Sequence, residues 1–257
     1  MNEDVRHAFD FMTRGELAAA SRVEPFRYGR AFFAPELPLR HDSNYLLVET
    51  EPEGAEQLAA EAERLHSRAG VRHRIALVPD EEIGERLAPE FERLEWNVQR
   101  GLVMLSRREP ERDVDTAFVR EVGEAALRHS RIRFTLDQPW GTPELAEQLL
   151  EAKRRIPFRK RFFAVVVDGE AVSWADLYLE GSTAQIEDVA TLPEHRLRGY
   201  ATAVVLRALR DAHASGADFV FLVTTADNRA QDIYRRLGFD EIGRYVKFLR
   251  LPPPDEP

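Results

Sequence analysis

Residues 183–214, TAQIEDVATLPEHRLRGYATAVVLRALRDAHA, constrain the fold more than any other stretch. TAQIEDVATL (183–192) reads as a strand that Pro193 ends. From Ala201 onward apolar residues recur at 201, 204, 205, 208, 209 and 212, one helical face with Arg207, Arg210 and Asp211 opposite, and Gly216 is a natural stop. A strand therefore turns into a helix through HRLRGYA, with two arginines and a glycine where helix starts ordinarily take Ser, Thr, Asp or Asn. Uncapped first-turn N–H groups and the positive helix end make an anion site, and Gly199 permits close approach of a phosphate to the backbone. These residues alone equally allow a plain basic loop before a helix.

The flanking pattern extends this unit. AFVREV (117–122) alternates as a strand, and GEAALRHSRIRF and TPELAEQLLEAKRRI read as helices, the second capped by Thr142 with Pro143 in its first turn. Two β-rich runs then flank Asp168-Gly169, a strong hairpin signal. DFVFLVTT is a buried strand, NRAQDIYRRLG a short helix stopped by Gly238, and FDEIGRYVKFLRL a closing strand. The order predicts an α/β chain with a mixed sheet and helices on its faces. The tail PPPDEP (252–257) is expected to be disordered.

Composition narrows the chemistry. The 257 residues hold no cysteine, which excludes disulfides, thiolate nucleophiles and Cys-ligated zinc, and the seven histidines show no metal-binding spacing, so no metal is expected. A net charge of −9 argues against nucleic acid as a partner, and the one basic run, KRRIPFRKR (153–161), reads as a solvated face. No run approaches a bilayer span, and MNEDVRHAFDFM has acids where a signal peptide carries a basic segment, so no membrane partner and a cytoplasmic location are expected.

VATLPEHRLRGYA (189–201) resembles the acetyl-CoA motif of the GNAT N-acetyltransferase superfamily, Q/R-x-x-G-x-G/A, here Arg196-Leu-Arg-Gly199-Tyr-Ala201. About thirty residues on, NRAQDIYRRLGF resembles the second cofactor motif of that family, and together they cover 113–250 in the family's element order. The resemblance implies an acyl-CoA N-acyltransferase fold in which the backbones of Leu197, Arg198, Gly199, Tyr200, Ala201 and Thr202 hold the pyrophosphate, aided by Arg196. It implies that Val189, Ala190 and Thr191 pair with the pantetheine arm, and that Tyr234 is the general acid for the departing thiolate. The alternative for Tyr234 is a residue that packs the short helix on the sheet. Asn228 lies six positions before Tyr234 where seven is the commoner spacing, which puts its cofactor contact in question. Gln185 stands where several members carry a glutamate; Glu187, on the same strand face, is the leading candidate base, with Asp188 behind it on the opposite face.

The first 110 residues repeat the architecture without the motif. Laying FERLEW (91–96) on YRRLGF (234–239) sets an offset of 143 residues, which also places LLV (46–48) on VAT (189–191) and NVQRGLVMLSR on the final strand. Where the second copy has LPEHRLRGYA the first has ETEPEGAEQL, whose carboxylates repel a pyrophosphate, and Phe91 replaces Tyr234. The expectation is a degenerate GNAT-like domain over 1–110 and an acetyltransferase domain over 111–251, joined through SRREPERDVD (106–115).

Function follows as transfer of an acetyl group from acetyl-CoA to an unidentified amine, with a homodimer left open. The rival is a non-catalytic acyl-CoA-binding or protein-interaction module. The acceptor is expected near RHSRIRFTLDQPWGTPE (128–144), with Arg131, Arg133 and Trp140 as candidates. His41, Asp42 and Ser43 are consecutive, so as strand residues they make no triad, but His41 or Asn44 could line a cleft between the halves.

Overall fold

A computed structural model describes residues 1–111, 113–227 and 230–252. Helix α1 (Glu3–Ala19) starts at Asn2, whose side chain accepts from the Val5 N–H at 2.9 Å, and leads into strands β1 (Arg22–Phe26), β2 (Gly29–Phe33) and β3 (Tyr45–Val48). Then follow α2 (Ala55–Arg68), β4 (Arg74–Val78), α3 (Glu81–Arg93, capped by Asp80) and β5 (Asn97–Ser106). The second half runs β6 (Val119–Val122), α4 (Glu124–Leu136), α5 (Pro143–Arg155), β7 (Arg159–Val167), β8 (Glu170–Glu180) and β9 (Thr183–Thr191). It ends with α6 (Tyr200–Ala214), β10 (Phe219–Thr225), α7 (Ala230–Arg236) and β11 (Phe239–Arg250). Thr142 caps α5 through the Leu145 N–H at 3.1 Å, and Asp168 and Gly169 turn the β7–β8 hairpin with φ of 50° and 86°, both as the sequence predicts.

All eleven strands form one mixed sheet in the order β1-β2-β3-β4-β11-β5-β10-β9-β8-β7-β6. Among the described strand pairs only β3–β4 and β9–β10 are parallel. The repeat at offset 143 is visible as α2 against α6, β4 against β10 and β5 against β11. The two last strands, however, are exchanged: β11 pairs with β4 of the first half, β5 pairs with β10 of the second, and the two pair with each other over most of their length. The sheet of each half is thus completed by the other half's final strand. Leu102, Val103 and Met104 of β5 and Val246 and Phe248 of β11 are fully buried at this seam.

Alternation along the strands sorts the helices. Helices α2, α3, α6 and α7 cover the face of Ile186, Leu222, Leu102 and Phe248. Helices α1, α4 and α5 cover the other face, where Phe9 and Phe11 of α1 meet Tyr245, Phe158 and Phe221. Gly15 lets α1 close on Phe158, since a Cβ there would sit 3.0 Å from its ring.

Candidate functional site

The strand-to-helix turn is shaped by backbone sterics. After β9, Pro193–His195 form one 3-10 turn, Leu197 has φ 63° and Gly199 has φ 80°, and α6 begins at Tyr200 with no side-chain cap. The left-handed φ favours glycine at 199, and nothing lies within 4 Å of where its Cβ would be. Among the described hydrogen bonds the N–H groups of residues 197–202 have no protein acceptor; the first helical bond is Ala203 N–H to Gly199 O, 3.0 Å. Arg196 and Arg198 donate only to the carbonyls of Thr191 and Glu194, both at 3.3 Å, and neither has a carboxylate partner among the described ion pairs. The corresponding start of α2 differs: the Ala55 N–H donates to Glu90 Oε2 at 3.0 Å, and Glu51 pairs with Arg86 at 2.6 Å.

Next to this turn the sheet opens. Strands β9 and β10 pair only from Thr183–Phe219 to Gln185–Phe221, after which β9 continues to Thr191 bonded to β8 alone. The edge of Val189, Ala190 and Thr191 that faces β10 is therefore free of strand partners among the described pairings. A bulge causes the parting: the β8–β9 register shifts at Asp188, whose φ is 53°. The same bulge corrects the expected facing of Asp188, which turns to the same side as Glu187 and lines the same cavity. Glu187 and Gln185 do share a face, with the Gln185 amide donating to the Glu187 carboxylate at 2.8 Å.

That cavity holds about 350 Å³ between α1, α5 and the middle of the sheet. Both halves build it: Arg40, Asp42 and Tyr45 come from the first, Lys153, Tyr178 and Glu187 from the second, and exchanged β11 adds Tyr245 and Lys247. Burial raises the Glu187 carboxyl, with Asp188 adding to the effect, and burial likewise raises Glu16 of α1. At the cavity wall Lys153 lies 3.3 Å from Asp176 and 3.2 Å from Asp188, and Arg131 pairs with both carboxylates. Burial pushes Asp176 up to about 6; Lys153, although burial opposes it, is held well above its ordinary value by Asp188 and Asp176.

Tyr234 is buried in α7, edge-on to Phe239 at 6.3 Å. Burial, then the Glu187 charge, pushes its phenol up to about 12. It lies outside the cavity lining. Asn228 falls outside the described residues, as does the tail beyond residue 252.

The acceptor candidates of segment 128–144 are not in the cavity. Arg131 is locked in the buried charge cluster, Arg133 bridges Glu170 and Glu194, and Trp140 is 59% exposed. His41–Ser43 form a 3-10 turn rather than a strand, and Asp42 joins Lys247 at 3.0 Å. Asn44 is fully buried and structural: its side chain accepts from the Ala34 N–H at 3.0 Å and donates to Leu37 O at 3.1 Å. The basic run 153–161 is largely consumed internally, Arg155 on Glu36 and Arg161 on Glu121 and Asp211. Glu16, Lys153 and Lys247 also line the cavity, and no sequence signal marks them for it, because nothing local tells a charged residue on an amphipathic element that a cavity lies beside it.

A strand-to-helix anion turn, a parted pair of parallel strands beside it and a cavity opposite define an acetyltransferase-type α/β fold. Residues 125–239 match the Acetyltransferase (GNAT) family model. A protein of unknown function from Staphylococcus epidermidis ATCC 12228 shares the fold at 18% identity and TM-score 0.71, covering 92% of this chain and 96% of that one. A GCN5-related N-acetyltransferase from Kribbella flavida is similar at 19% identity and TM-score 0.64, covering 96% and 95%. A tandem GNAT protein of the clavulanic acid biosynthesis pathway aligns at 18% identity and TM-score 0.53, over 78% and 70%. No curated protein matches the chain. Among the described residues no helix is long and apolar enough to cross a membrane, and no group of three or more His, Asp or Glu side chains is arranged to hold a metal ion.

Proposed function

We propose that the chain is an N-acetyltransferase that moves the acetyl group of acetyl-CoA onto an amine seated in the cavity between its halves. One observation carries the reading: β9, whose parted edge runs on into the acceptor-free N–H groups of 197–202, also lines the cavity through Glu187 and Asp188. The cradle fits a pyrophosphate, since the N–H groups of Leu197 to Thr202 converge at a helix start and Arg196 and Arg198 stand beside it without carboxylate partners among the described ion pairs. The free edge of Val189–Thr191 suits the amides of a pantetheine arm. When bound, acetyl-CoA supplies a thioester-activated acetyl group and a sulfur leaving group.

The residues of this chain handle the protons. Glu187, whose carboxyl burial raises above its ordinary value and so makes a stronger base, takes the proton of the attacking nitrogen. Tyr234, raised to about 12, stays protonated through neutral pH and donates toward the sulfur. The first half, whose matching helix start is already met by Glu90, serves as a wall of the acceptor site rather than a second cofactor site. In this sense we read the chain as a tandem of a degenerate copy over 1–110 and an active one over 111–251.

The test is amine-dependent thiol release by the wild type and Tyr234→Phe. The variant is expected to lose about 100-fold in turnover at unchanged acetyl-CoA affinity. Unchanged turnover removes Tyr234 from the proton path, and no amine-dependent release by the wild type leaves a protein-interaction role in place of the enzyme.

A further inference from the structure

We infer that the acceptor is a small primary amine carrying one positive charge on an apolar, ring-sized body; this rests on the acetyltransferase reading. The inference comes from the charge balance and the walls of the cavity together. Asp42 is matched by Lys247 at 3.0 Å. Asp188, with Asp176 beneath it, is matched by Lys153 and Arg131, two cations for two carboxylates. Glu16 faces Arg40 at 3.8 Å. Glu187 alone among the lining carboxylates has no cation within 4.0 Å among the described residues, only the amide of Gln185.

One negative charge is therefore left over, on the wall beside the strand parting. A single ammonium group neutralises it. An amino acid would bring a carboxylate into a cavity whose lining cations already face carboxylates, and a diamine would set a second cation against apolar wall or beside Lys153 and Lys247. Apart from Thr13 and Gln185 the rest of the lining is apolar or aromatic, with Phe9, Tyr45, Leu77, Ile156, Phe158 and Tyr178 around the space. Burial of a hydrocarbon or aromatic body there is favourable, and the tyrosine rings suit a nearby ammonium. At about 350 Å³ the cavity sits at the small end of the range for ligand sites.

In the transfer the amine nitrogen bonds the acetyl carbon as the carbon–sulfur bond breaks. Of the two protons the ammonium sheds, one ends on the thiol sulfur and the other leaves through Glu187 to solvent.

The test follows thiol release by the full chain with acetyl-CoA and three acceptors sharing one ring: 2-phenylethylamine, L-phenylalanine and 1,4-bis(aminomethyl)benzene. The expected result is a kcat/KM for 2-phenylethylamine at least about tenfold above either of the others. In calorimetry without acetyl-CoA, Glu187→Gln should weaken 2-phenylethylamine binding about tenfold and leave phenylalanine binding within about threefold, with acetyl-CoA affinity as the check that the variant is folded. Preference for the amino acid or the diamine overturns the acceptor class while leaving acetyl transfer intact. No release from any of the three with acetyl-CoA bound also overturns the acceptor class; no binding of acetyl-CoA overturns the acetyltransferase reading itself.

Discussion

Lowering the pH from about 7 to about 5 should weaken the fold through two buried histidines that the structure holds neutral. His66 of α2 has Nδ1 2.9 Å from Ala62 O, and its Nε2 lies 3.3 Å from the Ile75 N–H and 3.2 Å from Asn44 O, in a buried site that disfavours the charged ring. His73 donates from Nε2–H to Asn44 O at 3.1 Å, and its ring centroid is 4.3 Å from that of His41. Burial pulls His66 down to about 4, and burial with the neighbouring His41 pulls His73 down to about 3, from an ordinary 6.5. In the unfolded chain both rings take a proton below about 6.5, so the unfolded state binds more protons and stability falls as the pH drops through this window. It is fully present above about 6.5 and levels off only below the folded values. Between pH 7 and pH 5 each ring accounts for about 2 kcal/mol, so the pair accounts for about 4 kcal/mol.

Urea unfolding at both pH values, for the wild type and for His66→Gln/His73→Gln, isolates this amount, since the carboxylates contribute to both proteins. The double variant should be less stable at pH 7 but should lose about 4 kcal/mol less on acidification. Ring titration by NMR in the wild type reads the same property directly, with both rings still neutral at pH 5. Equal acid losses in the two proteins, or rings that titrate near 6.5, would refute the reasoning. The effect reaches the candidate site, because Asn44, held by His73, ties down the turn that carries Arg40 and Asp42 into the cavity.

Lys153→Met leaves the fully buried Asp176 and its neighbour Asp188 with Arg131 alone, and should cost about 3–5 kcal/mol in urea unfolding at neutral pH. Because the remaining carboxyl is raised still further, the deficit should shrink as the pH falls; a deficit below about 1 kcal/mol, or one that grows in acid, would contradict the pairing. The exchanged strands predict that residues 1–110 and 111–257 made separately expose an unpaired β4 or β10 edge and aggregate, whereas co-expression yields a soluble complex. Two independently folded halves with cooperative unfolding would contradict that prediction.

What the sequence told and withheld follows from the range of each signal. The Asp168-Gly169 hairpin, the Thr142 cap, the α6 face and the Gly199 turn were legible because each is fixed by neighbours within a few residues. The repeat was legible too, yet the exchange of β5 and β11 was not: both are inner strands of similar length that pair with each other, so local pattern does not choose between β4 and β10 as the second partner. Asp188 was placed on the wrong face because strict alternation ignores a bulge, and an aspartate with φ 53° carries no local mark of one. Arg131 and Arg133 were read as acceptor contacts since an arginine in sequence shows no partner; Asp176, Asp188, Glu170 and Glu194 supply those partners from distant strands and turns.

Calorimetric titration of acetyl-CoA into the wild type and Gly199→Glu reads the proposed role of the turn before α6, that its bare N–H groups hold the pyrophosphate. The wild type should bind, and affinity should fall by at least about tenfold in the variant, where a carboxylate and a side chain strained at φ 80° replace the glycine. Equal affinity in the two proteins, or no binding by the wild type, would contradict it.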